Sequence, residues 1–433
     1  MFRRLISLRT PSPGIRADDR YRTVPEAQII DMLLVAAFVY ELEAGRREAA
    51  VGYILTTLDK WIKLGLGYQR AADGQRLFDP VEVINRMKWS GVLDIDDFWV
   101  NHFVTTTRAF FSEWNSTAIG SSAGFGRHKP ARFAVDFRRI FDLSRVQAGQ
   151  KLRLRLPLPI SQSSKDVQVE PIAASELTAR ISRSEGRLDF QFTAPSRSDV
   201  EIGAKIFFST DGHSEDGLAG VRDSSARETY LRESDGLIRV TPRIRELSRA
   251  IAGNNDAPMS KATKLFHHVI DEYMCGLLHY DQVNSEAAGD WVLDNGWYDC
   301  QLGAALFASL CRASDIPARI LSGHVMYRLA PGFHYWAEVW IDGQGWLPFD
   351  FLTWDLSKAG TDLPWRNSFA GTVDYRLVTQ CFPLVFTGPM SVRFPPAWHL
   401  VNAPFGRGME IRFTELGGKL IYSDRITCTL LAG

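Results

Sequence analysis

A chain of 433 residues, 45% apolar and 23% charged, has the composition of a globular protein and the length for several domains and a large core. Its 50 Lys+Arg equal its 50 Asp+Glu, so the formal net charge is zero. That balance argues against a surface built mainly for nucleic acid or an anionic membrane, and neither is expected as a partner.

The basic opening MFRRLISLRTPSPGIRADDR lacks an apolar run fit for a signal peptide. The longest hydrophobic stretch, Met32 to Tyr40, is far short of a membrane span, so a cytoplasmic protein is expected. Residues 1–125 read as a helical region. Thr23-Val24-Pro25-Glu26 has the form of a capping box, and Leu55, Leu58, Ile62 and Leu66 keep helical spacing. Val81 to Met87 and Phe98 to Phe111 read as further helices. Asp94, Asp96 and Asp97 suit a helix N-terminus; the spacing of an EF-hand is absent. Gly120 to Pro130 reads as a linker.

The period then changes. Lys151 to Leu156 alternates basic and apolar residues, and Leu188 to Phe192 and Ile202 to Phe208 read as strands, so 131–212 is expected to be a β-sandwich. Arg153 and Arg155 fit a solvated strand face. His213 to about Asp235 is polar loop, and helices resume at Thr241-Pro242 and at Ser260 to Met274, opening a region from 236 to 433.

The chemistry concentrates between Gly296 and Asp350. Cys300 starts an apolar helix containing Leu302, Ala305, Leu306, Ser309 and Leu310. A thiol at a helix N-terminus is expected to have a lowered pKa. The five cysteines, Cys275, Cys300, Cys311, Cys381 and Cys428, are scattered without a C-x-x-C, which argues against a disulfide framework or structural zinc; Cys311 reads as core. His334 opens a strand, Asp342-Gly343-Gln344 makes a turn, and Trp346 to Phe351 returns. A three-residue turn pairs Ile341 with Gly345 and puts Asp350 opposite Trp336, diagonal to His334 and within reach of it. A one-residue slip would destroy that facing. Cysteine, histidine and aspartate in this order supply a nucleophile, its base and an orienting acid.

These residues resemble the transglutaminase-like superfamily: Cys300, then Ile316-Pro317-Ala318-Arg319, His334-x-Trp336-x-Glu338 and Gly345-Trp346-x-Pro348-x-Asp350. Leu152 to Pro159 and Ala262 to Tyr280 resemble the sandwich start and lead-in helix of bacterial members. The resemblance covers about residues 140–400 and not the first ~120. It implies an α+β fold: a helical N-terminal region, a β-sandwich, and a papain-like core with the nucleophile helix packed on an antiparallel sheet. Tyr298 and Asp315 stand where the family usually has Gly, and Tyr298 is positioned to narrow access to the thiol. Arg319 is expected to meet a carboxylate or backbone; His267, His268, His279 and His324 are expected to be structural or exposed.

The implied reaction is thiolate attack on an amide, ester or thioester, giving an acyl-thioester. An amine acceptor then forms an amide, with a peptide or carrier-protein-bound acyl donor as partner; water instead makes the enzyme a peptidase or amidase. A non-catalytic scaffold is the remaining alternative. No cofactor or metal is implied. The Cys300 N–H is the first oxyanion candidate, with Trp291, Asn295, Trp297 and Gln301 as possible side-chain partners and Tyr298 and Trp336 as substrate-side residues.

Overall fold

The computed structural model describes residues 23–37, 47–93, 131–144, 146–160, 164–184, 186–210, 228–253, 256–278, 282–326, 332–356, 365–373, 375–382, 398–401, 410–413 and 422–431. The expected helix at 98–111, the acidic run 94–97, the linker 120–130, His279 and most of the 213–235 loop lie outside them.

The N-terminal unit comprises β1 (Val24–Pro25), α1 (Glu26–Ala37), α2 (Arg47–Lys63), β2 (Gln69–Arg70), β3 (Arg76–Phe78) and α3 (Pro80–Leu93). Ile29, Leu33, Ile54, Leu58, Trp61 and Phe78 form its core. The capping-box pattern acts differently from its sequence reading. Val24 and Pro25 pair with Phe78 and Leu77, and the Glu26 carboxylate is drawn to Arg76. Pairing across the unit outweighs the local cap.

Next come β4 (Ala131–Asp142), β5 (Lys151–Pro157), β6 (Lys165–Ala173), β7 (Arg180–Ser184), β8 (Arg187–Thr193) and β9 (Asp199–Thr210). Apolar residues at alternate positions, Phe133, Val135 and Phe137 on β4 with Ile202, Ala204, Ile206 and Phe208 on β9, share a core with Leu154, Leu156, Phe190 and Phe192 of the β5-β8-β7 sheet. The solvated face of β5 sends Arg153 and Arg155, joined by Arg187, to the buried Asp189.

The third unit runs through the hairpin β10 (Ser234–Asp235) and β11 (Ile238–Arg239), α4 (Pro242–Ile251), α5 (Pro258–Glu272), β12 (Met274–Cys275), α6 (Ala288–Asn295), β13 (Trp297–Tyr298), α7 (Cys300–Ala313), β14 (Ala318–Val325), β15 (Gly332–Ile341), β16 (Gly345–Phe349), α8 (Leu352–Leu356) and β17 (Arg376–Phe382). Its sheet has the order β16-β15-β14-β17, and α7 packs on it through Leu302, Leu306, Phe307 and Leu310, against Tyr335, Ala337 and Val339. The strands β18 (Trp398–Val401), β19 (Glu410–Phe413) and β20 (Tyr422–Leu431) leave this unit. They extend the sheet of β4, with β20 running antiparallel along β4 from Tyr422↔Phe141 to Leu431↔Arg132. The sequence boundary that gives 236–433 to one unit is therefore not respected by the sheet.

His324 is one point where the sandwich meets the third unit: its ring lies edge-on to Phe137 at 5.2 Å and to Phe333 at 5.4 Å. Cys311 is fully buried in the α7 core. Asp315 ends α7 with φ 60°, the left-handed conformation that explains the family's usual Gly there. Arg319 meets Glu338 across β14 and β15 at 2.7 Å and stacks on the Trp346 ring at 4.0 Å.

Candidate active site

Asp299 caps α7, its side chain accepting the Leu302 N–H at 2.8 Å. Cys300 is thereby fixed as the first helical residue. Its thiol is half-buried and sits at the Tyr335 main-chain N–H, which favours the thiolate. The balance nevertheless lies the other way from the sequence expectation. Burial, reinforced by Asp299, pushes the thiol well above its ordinary pKa and outweighs the Tyr335 N–H. Desolvation is thus a larger influence on this thiol than the one N–H that opposes it.

Tyr335 follows His334 in β15, so the strand that meets the sulfur also carries the imidazole. The hairpin has the register read from the sequence: Ile341 pairs with Gly345, and Gln344 N–H closes the turn on the Ile341 carbonyl at 2.9 Å. With Ala337 opposite Phe349, Asp350 arrives beside His334. His334 Nε2 lies 2.9 and 3.0 Å from the two Asp350 oxygens. That contact assigns Nε2 the proton and leaves Nδ1 as the acceptor nitrogen.

Asp350 is fully buried, as its place between Phe349 and Phe351 requires, and its partners are the reason it can be there. It accepts the Leu352 N–H at 2.8 Å and forms an ion pair with Arg376. Burial alone would raise its pKa. Arg376, then His334, outweigh burial and hold the carboxyl well below the usual range. The Asp350 charge also acts on the Cys300 thiol.

Arg376 is absent from the sequence reading. It begins β17, pairs with Val325, and lies with its guanidinium 4.9 Å from the Trp336 ring centroid. Trp336 in turn lies nearly parallel to the His334 ring, with centroids 6.4 Å apart. This buried indole is a platform for both the base and the arginine, not a substrate-side residue. Phe369 completes the cradle: its carbonyl takes the Asp350 N–H at 2.9 Å, and its own φ is 58°, a strained value for a bulky residue.

The other candidates are placed elsewhere. Trp297 donates its indole N–H to the Leu277 carbonyl at 3.1 Å, so that donor is spent, and Asn295 commits one of its two amide hydrogens to the Trp291 carbonyl at 2.7 Å. Trp291 packs edge-on to Trp297. Gln301 is buried in the first turn of α7. Tyr298 does not narrow the thiol's approach. Its ring is fully buried between Phe351 and the helix face at Gly303, where an added Cβ would lie 2.6 Å from it. Among the described residues, no group of three or more His, Cys, Asp or Glu is arranged to hold a metal, and no helix is long and apolar enough to cross a membrane.

Residues 245–351 match the model of the transglutaminase-like superfamily. This segment is a transglutaminase-like domain. It contains Cys300, His334 and Asp350 and stops short of Arg376 and of the whole N-terminal unit. A curated relative, a protein-glutamine gamma-glutamyltransferase of Pseudomonas aeruginosa, is 24% identical over 172 residues, which are 37% of this chain and 26% of that protein. The chain thus spans about a quarter of the curated relative it matches. Among solved structures, a candidate cysteine protease of Cytophaga hutchinsonii is 14% identical and covers 71% of this chain and 93% of its own, with a TM-score of 0.44. The periplasmic domain of TgpA from Pseudomonas aeruginosa is 16% identical and covers 57% of this chain and 93% of its own, with a TM-score of 0.31.

Proposed function

We propose that the transglutaminase-like domain catalyses acyl transfer through a thioester on Cys300, to an amine acceptor. The observation that carries the reading is the pairing of His334 Nε2 with Asp350 on the strand whose next N–H meets the Cys300 sulfur. In the reaction, Nδ1 of His334 takes the thiol proton as sulfur attacks the donor carbonyl carbon. The tetrahedral oxyanion forms beside the Cys300 N–H, one of the helix-end donors with no intrahelical partner. The imidazolium, stabilised by Asp350, returns the proton to the leaving group, and the acyl-thioester remains. An incoming amine attacks that carbonyl while His334 accepts its proton; amide is released and the thiol regains a proton.

Because burial raises the thiol pKa, proton transfer to His334 accompanies the attack in this reading. Thioester, ester and amide carbonyls are all substrates this sequence of steps accepts, and a carrier-protein thioester is one donor form. The name of the curated relative, a gamma-glutamyltransferase, favours amide formation over hydrolysis. The test is product partition. Purified protein is incubated with a panel of thioester and glutaminyl donors, with and without a primary amine. Amide product that depends on Cys300 supports the proposal, whereas acid product alone at saturating amine would make the domain a hydrolase.

A further inference from the structure

The N-terminal unit lies before the family match, yet its last helix is locked into the domain. Helix α3 runs along the 274–278 segment. The Asn85 side chain makes both bonds of a backbone-like pair with Leu277, accepting its N–H at 2.7 Å and donating to its carbonyl at 2.8 Å. Trp89 donates its indole N–H to the Cys275 carbonyl at 2.8 Å and is 1% exposed, a member of the same core as Leu302 and Phe307. Its ring also meets Trp297 edge-on at 5.7 Å. Gly276 makes room for this contact: a Cβ there would lie 2.6 Å from the Trp89 ring and 2.7 Å from Asn85.

Between these two residues, Lys88 reaches further inward. Its Nζ lies 2.9 Å from Asp355 and 3.4 Å from the Cys275 sulfur, over the Trp354 ring. The two anchors lead to different members of the candidate active site. Cys275 is on β12, which pairs in parallel with β13 (Met274↔Trp297, Cys275↔Tyr298), and β13 ends two residues before Cys300. Asp355 is on α8, whose first turn is capped by Asp350 through the Leu352 N–H and the Thr353 hydroxyl. One ammonium group therefore ties the lead-in of the nucleophile to the helix capped by the orienting acid.

The geometry points to α3 as a splint of the catalytic centre, with Lys88 a positioning residue that sets Cys300 against His334 and Asp350. The inference rests on the reading of those three as the reacting set. It gives part of the N-terminal unit a role that does not require a docked partner. The charge environment agrees. Burial opposes the ammonium, but Asp355 outweighs it and holds Lys88 charged. Burial pushes the Cys275 thiol up to about 12, so Cys275 is a neutral sulfur acceptor and Asp355 is the counter-ion. The Tyr298 hydroxyl shares this region, raised by burial and then by Cys275, Asp355 and Asp350.

A double-mutant cycle on the full chain tests it, with Cys300 alkylation by iodoacetamide as a readout that needs no substrate. In the wild-type background His334→Ala should slow alkylation of Cys300 by about a hundredfold, the loss of its base. In a Lys88→Met background the same change should cost less than about threefold, because the base is already out of place. Lys88→Arg, which keeps a cation at the same two anchors, should restore most of the His334 effect; a purely structural loss would instead appear as lowered unfolding temperature without a change in this coupling. If Lys88→Met does not fold, Asp355→Asn replaces it in the cycle and should give the same loss of coupling. An undiminished His334 effect in a folded Lys88 or Asp355 variant overturns the splint. No His334 effect in the wild-type background would instead overturn the underlying triad.

Discussion

Replacing Arg376 with Met would remove the guanidinium that neutralises Asp350 and leave a carboxylate with no exposed surface. Its remaining partners would be His334 at 2.9 Å and the Leu352 N–H at 2.8 Å. Breaking a buried ion pair from one side costs about 3–5 kcal/mol, and the two surviving hydrogen bonds point to the lower end, about 3 kcal/mol at neutral pH. The pH dependence carries a sign. In the wild type the folded carboxyl is held below its unfolded value, so its contribution is fully present above about pH 4 and is lost as pH falls through the folded pKa. In Arg376→Met, burial becomes the dominant influence and raises the carboxyl, so the variant is penalised most at neutral pH and recovers as Asp350 protonates. Urea unfolding followed by circular dichroism at pH 7 and at pH 4 to 5 measures both proteins. The gap should be largest at pH 7 and narrow on acidification, and Asp350→Asn combined with Arg376→Met should recover part of the loss. A gap independent of pH, or a single variant as stable as the wild type, would refute the reasoning.

Other outcomes follow from the same geometry. Alkylation of Cys300 should be slow at mildly acidic pH and climb above neutrality, because burial raises the thiol pKa; peptide mapping that found Cys300 fully reactive at pH 5 would contradict this. Asp350→Asn should retain measurable turnover where His334→Ala does not, since the acid orients the base without reacting; equal loss in both would contradict that division. Gly323→Ala should destabilise the chain by about 1–3 kcal/mol or more, as a Cβ there would lie 1.9 Å from the Leu377 carbonyl on the strand that carries Arg376. A denaturation midpoint unchanged in that variant would show that β14 and β17 separate easily.

What the sequence made legible here is what short-range pattern can specify. The period-2 alternation from His334 to Ile341, the three-residue turn and the return through Pro348 set a register, and that register brought Asp350 to His334. The apolar run after Cys300 likewise marked a buried helix with its start at the thiol. Burial of the thiol itself was not legible, because the desolvation that raises its pKa comes from elements distant in the chain. Arg376 was missed for a related reason: it acts on Asp350 from β17, a strand that joins the sheet beside β14, on the far side of it from the hairpin. The docking of α3 joins Trp89 to Cys275 across 186 residues, and nothing in either local pattern announces it beyond an unremarkable Gly276. The same holds for β20, whose pairing joins the last described strand to β4, the first strand of the sandwich.

The central claim, a covalent acyl-thioester on Cys300, is tested most directly by intact-protein and peptide mass spectrometry after brief acid quench of the protein with a panel of acyl thioesters and amides. The account predicts a mass gain equal to the acyl group less one hydrogen, located on the peptide carrying Cys300, absent in Cys300→Ala and chased by added amine. A wild-type rate of product formation by Cys300→Ala, or an acyl group trapped on a different residue, would contradict it.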